Sequence, residues 1–209
     1  MREWQASFPI LCAMTTTVPY HQIRALYDER TIRVYQAYSD DIANAALERG
    51  TFGGPSFNMN RMTWIKPSFL WMMYRSGFGK KDRWQKRILA VDISRAGFQW
   101  ALEHACLSHP PKDADECGKQ TWRRQLATSP VRIQWDPERD LLSNALPYRS
   151  IQVGLSKEAV PAYVNKWIER ITDVTDLAHA IHQLVQDGDF DAARALLPEE
   201  KEYIPDAYE

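Results

Sequence analysis

The sequence has no long apolar run, no excess of charge of one sign and few cysteines. No segment approaches the roughly 20 apolar residues that a membrane-spanning helix needs, and the first residues lack the apolar core of a signal peptide. The formal net charge is −1, so no overall basic field favours nonspecific binding of nucleic acid. These absences predict a cytoplasmic protein without a membrane partner, and they leave room for a local basic cleft.

The three cysteines indicate neither a disulfide framework nor a regular metal site. An odd number argues against disulfide pairing, and thiols stay reduced in the cytoplasm. Zinc-type ligands occur close together at four positions, His104, Cys106, His109 and Cys117. Their spacing differs from that of zinc-binding pairs, and His104 and Cys106 would point to different faces of a helix. We therefore expect no bound metal and a simply buried thiol instead.

Several glycine-containing motifs are also missing. The chain has neither G-x-G-x-x-G nor G-x-x-x-x-G-K-[ST], so dinucleotide-binding Rossmann folds and P-loop proteins lose support. It has no G-x-S-x-G, the motif of many serine hydrolases. The segment Lys66 to Phe69, KPSF, lacks the glycine that a nucleotidyl-transferring lysine motif usually contains.

The most informative segment that is present is RMTWIKPSFLWMMYRSG, residues 61–77. It is apolar and aromatic on every face, which is typical of a buried segment, yet it contains Lys66 and Arg75. A buried cation is costly unless a carboxylate or an anionic ligand accompanies it. Ser68, Trp71 and Arg75 share one helical stripe that could line a cleft. Alternatively, Arg75 extends to solvent near the helix end at Gly77.

Periodicity and capping signals predict the remaining elements. Strands are expected over residues 31–38, 87–93, 131–135 and 148–155, with an extended start at residues 62–66. Helices are expected over residues 40–50, from Pro67 to Gly77, and over residues 95–108, 121–127, 157–171, 175–188 and 189–197. Residues 20–28 resemble a short helix or an arm, and the acidic tail from Pro198 should be loosely packed.

Together these elements predict one α+β domain. Its central sheet is expected to be mixed or antiparallel and to be flanked by helices. A sheet split into two parts is one form of this arrangement. We divide the chain into an N-terminal extension of residues 1–18, a domain of residues 19–175, and a helical cap with an acidic tail over residues 176–209.

From Tyr20 onward the chain resembles a bacterial and fungal family known as domain of unknown function 4291. The resemblance covers most of residues 20–175. It rests on HQIRALYD, TIRVYQAYSDDIA, RMTWIKPSFLWMMYRSG, FQWALEHACLSH, VRIQWDPERD and PYRSIQVGLS. It implies no particular activity.

A second, more distant resemblance is to the ADP-ribosyltransferase superfamily. VYQAYSDDIANAALERGTF is similar to that superfamily's opening strand, helix and Gly-Phe turn, and YRSIQVGL to its late strand. This resemblance implies an ADP-ribosyltransferase-like domain that binds NAD. Tyr35 and Gln36 would occupy the Tyr-His positions that hold the ribose and nicotinamide. Ser68 matches a serine of the superfamily, and Trp71 or Tyr74 would stack on the nicotinamide.

This chain departs from the superfamily pattern at its catalytic positions. Gln36 replaces the histidine, Ala37 replaces a glycine, and Ser150 and Gln152 lie where the late strand should carry a catalytic glutamate. Glu138 is the nearest spare acid. One branch that acts on RNA 2′-phosphates uses arginines instead of that glutamate. Such chemistry would suit Arg24, Arg75 and Arg149, because guanidinium groups match phosphate oxygens.

Three functions follow from these patterns. The first is a transferase that binds NAD or a related nucleotide. Its catalytic residues would be Gln36, Glu138 and Gln152, and its ligand-binding residues Arg24, Tyr35, Lys66, Ser68, Trp71, Tyr74, Arg75 and Arg149. The second is a protein that binds nucleic acid or processes its ends in the same basic and aromatic cleft. The third is a structural or interaction protein whose cations pair internally with Asp92, Asp136 or Glu138.

Overall fold

The computed structural model describes residues 18–205, so the predicted extension of residues 1–18 lies almost entirely outside the described residues. Three sheets organise the chain. A three-stranded antiparallel sheet has the order β2 (Thr31–Tyr38), β4 (Arg87–Ser94), β8 (Ile168–Asp173). A four-stranded sheet has the order β3 (Thr63–Ile65), β7 (Ala145–Leu155), β6 (Val131–Arg139), β5 (Ala105–Leu107). The short strands β1 (Arg24–Ala25) and β9 (Lys201–Glu202) form an antiparallel pair.

The helices follow the strands in an α+β arrangement. They are α1 (Asp40–Arg49), α2 (Phe69–Ser76), α3 (Arg95–Glu103), α4 (Glu116–Thr128), α5 (Ala159–Ala162), α6 (Thr175–Gln186) and α7 (Phe190–Ala195), with a π-helical turn over Tyr163–Trp167. In the four-stranded sheet only β5 and β6 are parallel. The predicted α+β class and the mixed sheet are therefore confirmed. Within residues 18–205, no helix combines the length and apolar character that crossing a membrane requires.

Within residues 18–205, one backbone bridge joins the two larger sheets. The N–H of Tyr35 in β2 donates to the carbonyl oxygen of Lys66, just after β3, over 2.7 Å. This bridge joins β2 to the end of β3 at one point, and beyond it the two sheets separate. The split brings the end of β2, the end of β3 and the start of α2 close to one another.

The three-stranded sheet separates two hydrophobic clusters. Ile32 and Val34 of β2 contribute to the larger cluster, which fills the space between the two sheets and helices α1 and α3. Tyr35 points to the opposite face and packs with Phe69 and Met73 of α2 and with residues of α6 and α7. Because neighbouring strand residues point to opposite faces, β2 contributes to both clusters at once.

Several predicted elements end differently in the structure. Residues 157–171 were expected to form one helix, but the chain leaves the π-helical turn at Trp167 and residues 168–173 pair with β4 as β8. The helix expected over residues 95–108 ends at Glu103, and residues 105–107 pair with β6 as β5. Helix α4 begins at Glu116, where Asp115 caps it. At β8 and β5 a distant strand pairing outweighs the local helical pattern, whereas at α4 the Asp115 cap starts the helix earlier than the pattern predicts.

The two ends of the described chain are more ordered than the sequence predicts. Residues 20–28 are extended and contain β1, so the short-helix interpretation was wrong. The segment after Pro198 is not loose up to residue 205. Its strand β9 pairs with β1, and the ring of Tyr203 is buried in the larger cluster. Burial of this large aromatic ring and the pairing with β1 both hold an otherwise acidic segment in place.

Candidate functional site

A cleft of about 620 Å³ opens beside the split between the sheets. We call it the Lys66 cleft. It is bounded by the end of β2, by residues 56–66, by helix α2 and by the loop of residues 77–86. Its polar and aromatic lining comprises Gln36, Tyr38, Ser39, Ser56, Phe57, Asn58, Arg61, Thr63, Trp64, Lys66, Arg75, Asp82, Trp84 and Gln85. Among these described residues only Asp82 carries a carboxylate, so the cleft is basic.

Lys66 is the least solvated of the cleft cations, since only 7% of its surface is exposed. Its Nζ donates one hydrogen bond, to the carbonyl oxygen of Trp64 over 3.3 Å, and lies 5.4 Å from the centre of the Trp71 ring. Burial and the nearby positive charge of Arg75 lower the pKa of Lys66 to about 7, while the carboxylate of Asp136 acts in the opposite direction. The amine therefore lies in the cleft without a paired carboxylate among the described residues.

Arg75 lines the same cleft from the last turn of α2. Its side chain is exposed, and its guanidinium donates to Oε1 of Gln85 over 3.4 Å. The two alternatives for Arg75 therefore both hold, because it extends toward solvent and faces the cleft. The prediction that Lys66 and Arg75 face one cleft without both forming internal ion pairs is confirmed for the described residues.

The carboxylates proposed as internal partners for these cations are occupied elsewhere. Asp92 pairs with Arg33 over 2.7 Å and with Arg170 over 2.8 Å. Asp136 accepts hydrogen bonds from the side-chain amides of Gln134 and Gln152, over 2.9 and 2.6 Å. Neither carboxylate therefore forms an ion pair with Lys66 or Arg75.

The one acid in the cleft is turned toward its own loop. Oδ1 of Asp82 accepts from the backbone N–H of Trp84 over 2.8 Å, and its Oδ2 accepts from Nε2 of Gln85 over 2.7 Å. The first of these donors closes the loop that carries Trp84 to the edge of the cleft. The Asp82 carboxylate thus organises the loop, and its hydrogen bonds lower its pKa.

Gln36 lies at the closed inner side of the cleft and is only 3% exposed. Its Nε2 donates toward Tyr38 Oη, Thr63 Oγ1 and the carbonyl oxygen of Trp64 over 2.9, 2.7 and 3.1 Å. Its Oε1 accepts from the hydroxyl of Tyr163 over 2.7 Å. Gln36 therefore links β2, β3 and the π-helical turn. These bonds hold the Trp64 carbonyl, which also accepts from Lys66.

Two tryptophans form the aromatic walls. The ring of Trp64 lies against Gly154 of β7, where an added Cβ would come within 3.0 Å of it. A larger residue at Gly154 would displace this wall, so the close approach explains the glycine. Trp84 lies on the opposite loop and is 62% exposed.

The predicted aromatic ligands occupy different places. Tyr35 is buried against Phe69 on the face of β2 away from Gln36, so the two cannot hold one ligand side by side as the alignment implied. Trp71 is buried beneath Lys66 and contacts its ammonium without lining the cleft. Tyr74 lies on the exposed side of α2 with the guanidinium of Arg139 3.6 Å from its ring centre.

Ser68 and Glu138 form a buried pair at the N-terminus of α2. Ser68 Oγ accepts from the N–H of Trp71 over 3.1 Å and donates to Glu138 Oε1 over 2.9 Å. Glu200, from the C-terminal segment, accepts from the N–H of Phe69 over 2.6 Å. Burial raises the pKa of Glu138, and burial together with Glu138 raises the pKa of Glu200 to about 8. Glu200 caps the helix that presents Arg75, and Glu138 holds the hydroxyl of the capping Ser68. Neither acid lines the Lys66 cleft.

The remaining predicted site residues lie outside the cleft. Arg24 donates to the backbone carbonyl of Glu200 over 2.7 Å. Arg149 donates to Tyr20 Oη over 2.6 Å and to the carbonyl of Trp135 over 3.0 Å. Gln152 is bonded to Asp136, whose carboxylate influences Lys66 electrostatically. The structure therefore brings Gln36, Lys66 and Arg75 together and places Arg24 and Arg149 at other positions.

A sequence model of the family described as "Domain of unknown function (DUF4291)" matches residues 22–203 of the chain. The chain belongs to this family. The DUF4291 match contains all the residues that line the Lys66 cleft, and it ends at Tyr203, just after β9. No curated protein matches the chain.

Sequence reasoning missed several residues of the DUF4291 cleft. Asn58 and Arg61 come from the irregular segment between α1 and β3, and Trp84 and Gln85 from the loop after α2. The runs that contain these residues, NMNR at 58–61 and KKDRWQKR at 80–87, combine polar, basic and aromatic residues. This composition was the available signal, but it could not show that two loops 20 residues apart face the same space.

The four zinc-type residues, His104, Cys106, His109 and Cys117, do not form a common group in this DUF4291 chain. The His104 ring stacks on Trp100 at 4.0 Å between centroids, and the buried Cys106 thiol contacts the carbonyl of Leu107. In residues 18–205 no three His, Cys, Asp or Glu side chains are grouped as metal ligands. The expectation that the protein binds no metal stays a prediction for elemental analysis.

Proposed function

We propose that this protein binds a phosphate-bearing nucleotide of the NAD type in the Lys66 cleft. One observation supports the proposal above all others: Lys66 is buried at the cleft without a carboxylate partner among the described residues, beside Arg75. An unpaired cation in this position is unfavourable in the free protein. A phosphate would restore the missing negative charge and would accept charge-assisted hydrogen bonds from both side chains.

The walls of the cleft suit the rest of a nucleotide. Trp64 and Trp84 offer aromatic faces, and a planar base or nicotinamide stacks on such faces with little sequence demand. Asn58 and Gln85 offer amide donors and acceptors for ribose or base edges. The volume of about 620 Å³ lies in the ordinary range for a small-molecule site.

Transfer of a group from such a nucleotide is the reaction that the superfamily resemblance implies. Lys66 and Arg75 would hold the diphosphate, which stays on the transferred ADP-ribose while nicotinamide leaves from the ribose carbon that the acceptor attacks. Gln36 would hold the Trp64 carbonyl in position beside them. Glu138 and Gln152 would act only from outside the cleft, because neither lines it. We also propose a cytoplasmic location, which the free thiols of Cys106 and Cys117 support.

Isothermal titration with NAD, ATP and adenosine tests this function. We expect NAD and ATP to bind and adenosine, which has no phosphate, to bind much more weakly. Lys66→Met and Arg75→Gln should each weaken NAD binding at least about tenfold, since a charge-assisted contact contributes about 1.5–3 kcal/mol. Arg124→Gln is the matched control, because Arg124 is an exposed cation on α4 away from the cleft.

Two results would overturn the proposal. The first is that neither NAD nor ATP binds at millimolar concentration to protein that is folded by circular dichroism. The second is that Lys66→Met and Arg75→Gln bind NAD as tightly as the Arg124→Gln control does.

A further inference from the structure

A second cavity of about 880 Å³ adjoins the Lys66 cleft. Ser39, Asp82 and Trp84 line both spaces, so the two lie side by side at the loop of residues 77–86. Each space alone is within the size range of a small-molecule site. A ligand that occupies both must therefore be longer than one nucleotide.

Trp84 stands at the junction of the two spaces and has no place in either hydrophobic cluster. It is the most exposed large hydrophobic side chain among the described residues, at 62%. The guanidinium of Arg83 lies 4.4 Å from its ring centre. An exposed indole beside an arginine is the combination with which single-strand-binding proteins stack a base and hold the phosphate next to it.

The charges along the joined spaces favour a polyanion. Lys66, Arg75 and Arg61 line the first space, and Arg83 lines the second. None of the four has an ion-pair partner among the described residues. Asp40 in the second space is already neutralised by Lys86 over 3.0 Å. Asp41 and Asp82 are the exposed acids that remain there, and the Asp82 carboxylate is turned toward the N–H of Trp84 and the amide of Gln85. The cations Lys66 and Arg83 therefore remain available to phosphate.

We infer that the joined spaces bind a single strand of nucleic acid, with a terminal nucleotide in the Lys66 cleft and the next base against Trp84. The inference rests on the proposed nucleotide site and extends it, because it names the ligand as the end of a polynucleotide. A duplex would keep its bases paired and unavailable to Trp84, so an unpaired strand is the form that fits. A free dinucleotide shares the phosphate and base chemistry, and the experiment must distinguish the two.

Fluorescence anisotropy with a labelled ten-nucleotide single strand of RNA provides the test, with unlabelled NAD, AMP, single-stranded DNA and duplex as competitors. We expect the strand to bind at least tenfold more tightly than AMP or NAD, and the duplex to compete poorly. Trp84→Leu should weaken strand binding about fivefold or more, the loss that stacking of one base predicts. Arg83→Ala should lower the slope of log K against log salt by about 0.7, as loss of one phosphate contact predicts. Arg124→Ala should change neither quantity.

The outcomes separate this inference from the nucleotide proposal. If AMP or NAD binds but the RNA and DNA strands bind no more tightly, the strand inference fails and the nucleotide site stands. The strand inference also fails if both Trp84→Leu and Arg83→Ala bind the strand as the Arg124→Ala control does. If neither mononucleotides nor strands bind, both proposals fail. Unchanged melting curves for the variants would exclude unfolding as the cause of any loss.

Discussion

Replacing Lys66 with methionine should stabilise the free protein, although it should weaken NAD binding at least about tenfold. Methionine keeps the length of the side chain and removes the charge. The pKa of Lys66 is lowered from the ordinary 10.5 to about 7 in the folded protein. At about 1.4 kcal/mol per pH unit, this difference costs the wild type roughly 4 kcal/mol of folding free energy at pH 7.

Removing the charge gains this folding free energy for the variant, but part of the gain is lost again. The hydrogen bond from Nζ to the Trp64 carbonyl disappears, at a cost of about 1 kcal/mol, although Gln36 still donates to the same oxygen. We therefore expect the Lys66→Met variant to be more stable by about 2–3 kcal/mol at pH 7. For a chain of this size that corresponds to a rise in melting temperature of roughly 4–12 °C.

The pH dependence identifies the cause. Lysine is a base with a lowered folded pKa, so between about pH 7 and 10.5 the unfolded state binds more protons than the folded state. Wild-type stability contributed by this group therefore rises with pH across that range. Below pH 7 the penalty is fully present. The advantage of the variant should shrink by about 2 kcal/mol between pH 7 and pH 9.

Urea unfolding followed by tryptophan fluorescence at pH 7 and pH 9 measures both effects. Lys112→Met serves as the control, because Lys112 is exposed in a loop and its replacement should change stability by less than about 0.5 kcal/mol. A Lys66→Met protein that is less stable than wild type would refute the reasoning. So would a difference in stability that is the same at both pH values.

Three further predictions follow from the neighbouring contacts. Gln36→Leu should destabilise the protein by about 1–3 kcal/mol in urea unfolding, because the buried hydroxyl of Tyr163 loses its acceptor; an unchanged midpoint would contradict the role of this network. Glu200→Gln should be more stable than wild type above pH 8. Because the pKa of Glu200 is raised in the folded protein, the wild type loses folding stability as pH rises from about 4.5 to 8, and the advantage of the variant grows over that range. Melting curves at pH 5 and pH 8.5 measure this, and parallel pH profiles would count against it. Elemental analysis of purified protein should find no zinc, and one equivalent lost in Cys106→Ser would show the metal prediction to be wrong.

The sequence predicted the elements whose signals are local. Strand β2 alternates clearly, and α1 begins after Ser39 and ends at Gly50 with a positive φ of 71°, as expected for a left-handed residue after a helix. Helix α2 begins after the predicted Ser68 cap and ends before Gly77. Lys66 and Arg75 were recognisable as cleft residues because they lie within one short, otherwise apolar segment.

Contacts between distant parts of the chain could not be predicted in the same way. Strand β8 follows a helical turn without a break, and only its pairing with β4 makes it a strand. Glu200 reaches the N-terminus of α2 across 131 positions of sequence, and no local pattern marks it. For Tyr35 the alternation was visible, but the sequence could not show which face of β2 meets the cleft.

The pairing of β1 with β9 has a consequence for how the protein is made. Arg24 lies opposite Glu202, so one of the earliest described strands waits for one of the last to be synthesised. Contacts of such large sequence separation form slowly, since a long loop must close before they stabilise anything. During translation the side chains that surround Tyr203, including Ile23 and Phe98, would be exposed to other molecules. We expect chaperones to bind a nascent chain that is stalled before residue 200 has left the ribosome. A chain stalled within an added C-terminal linker, so that residue 205 has left the ribosome, should resist proteases.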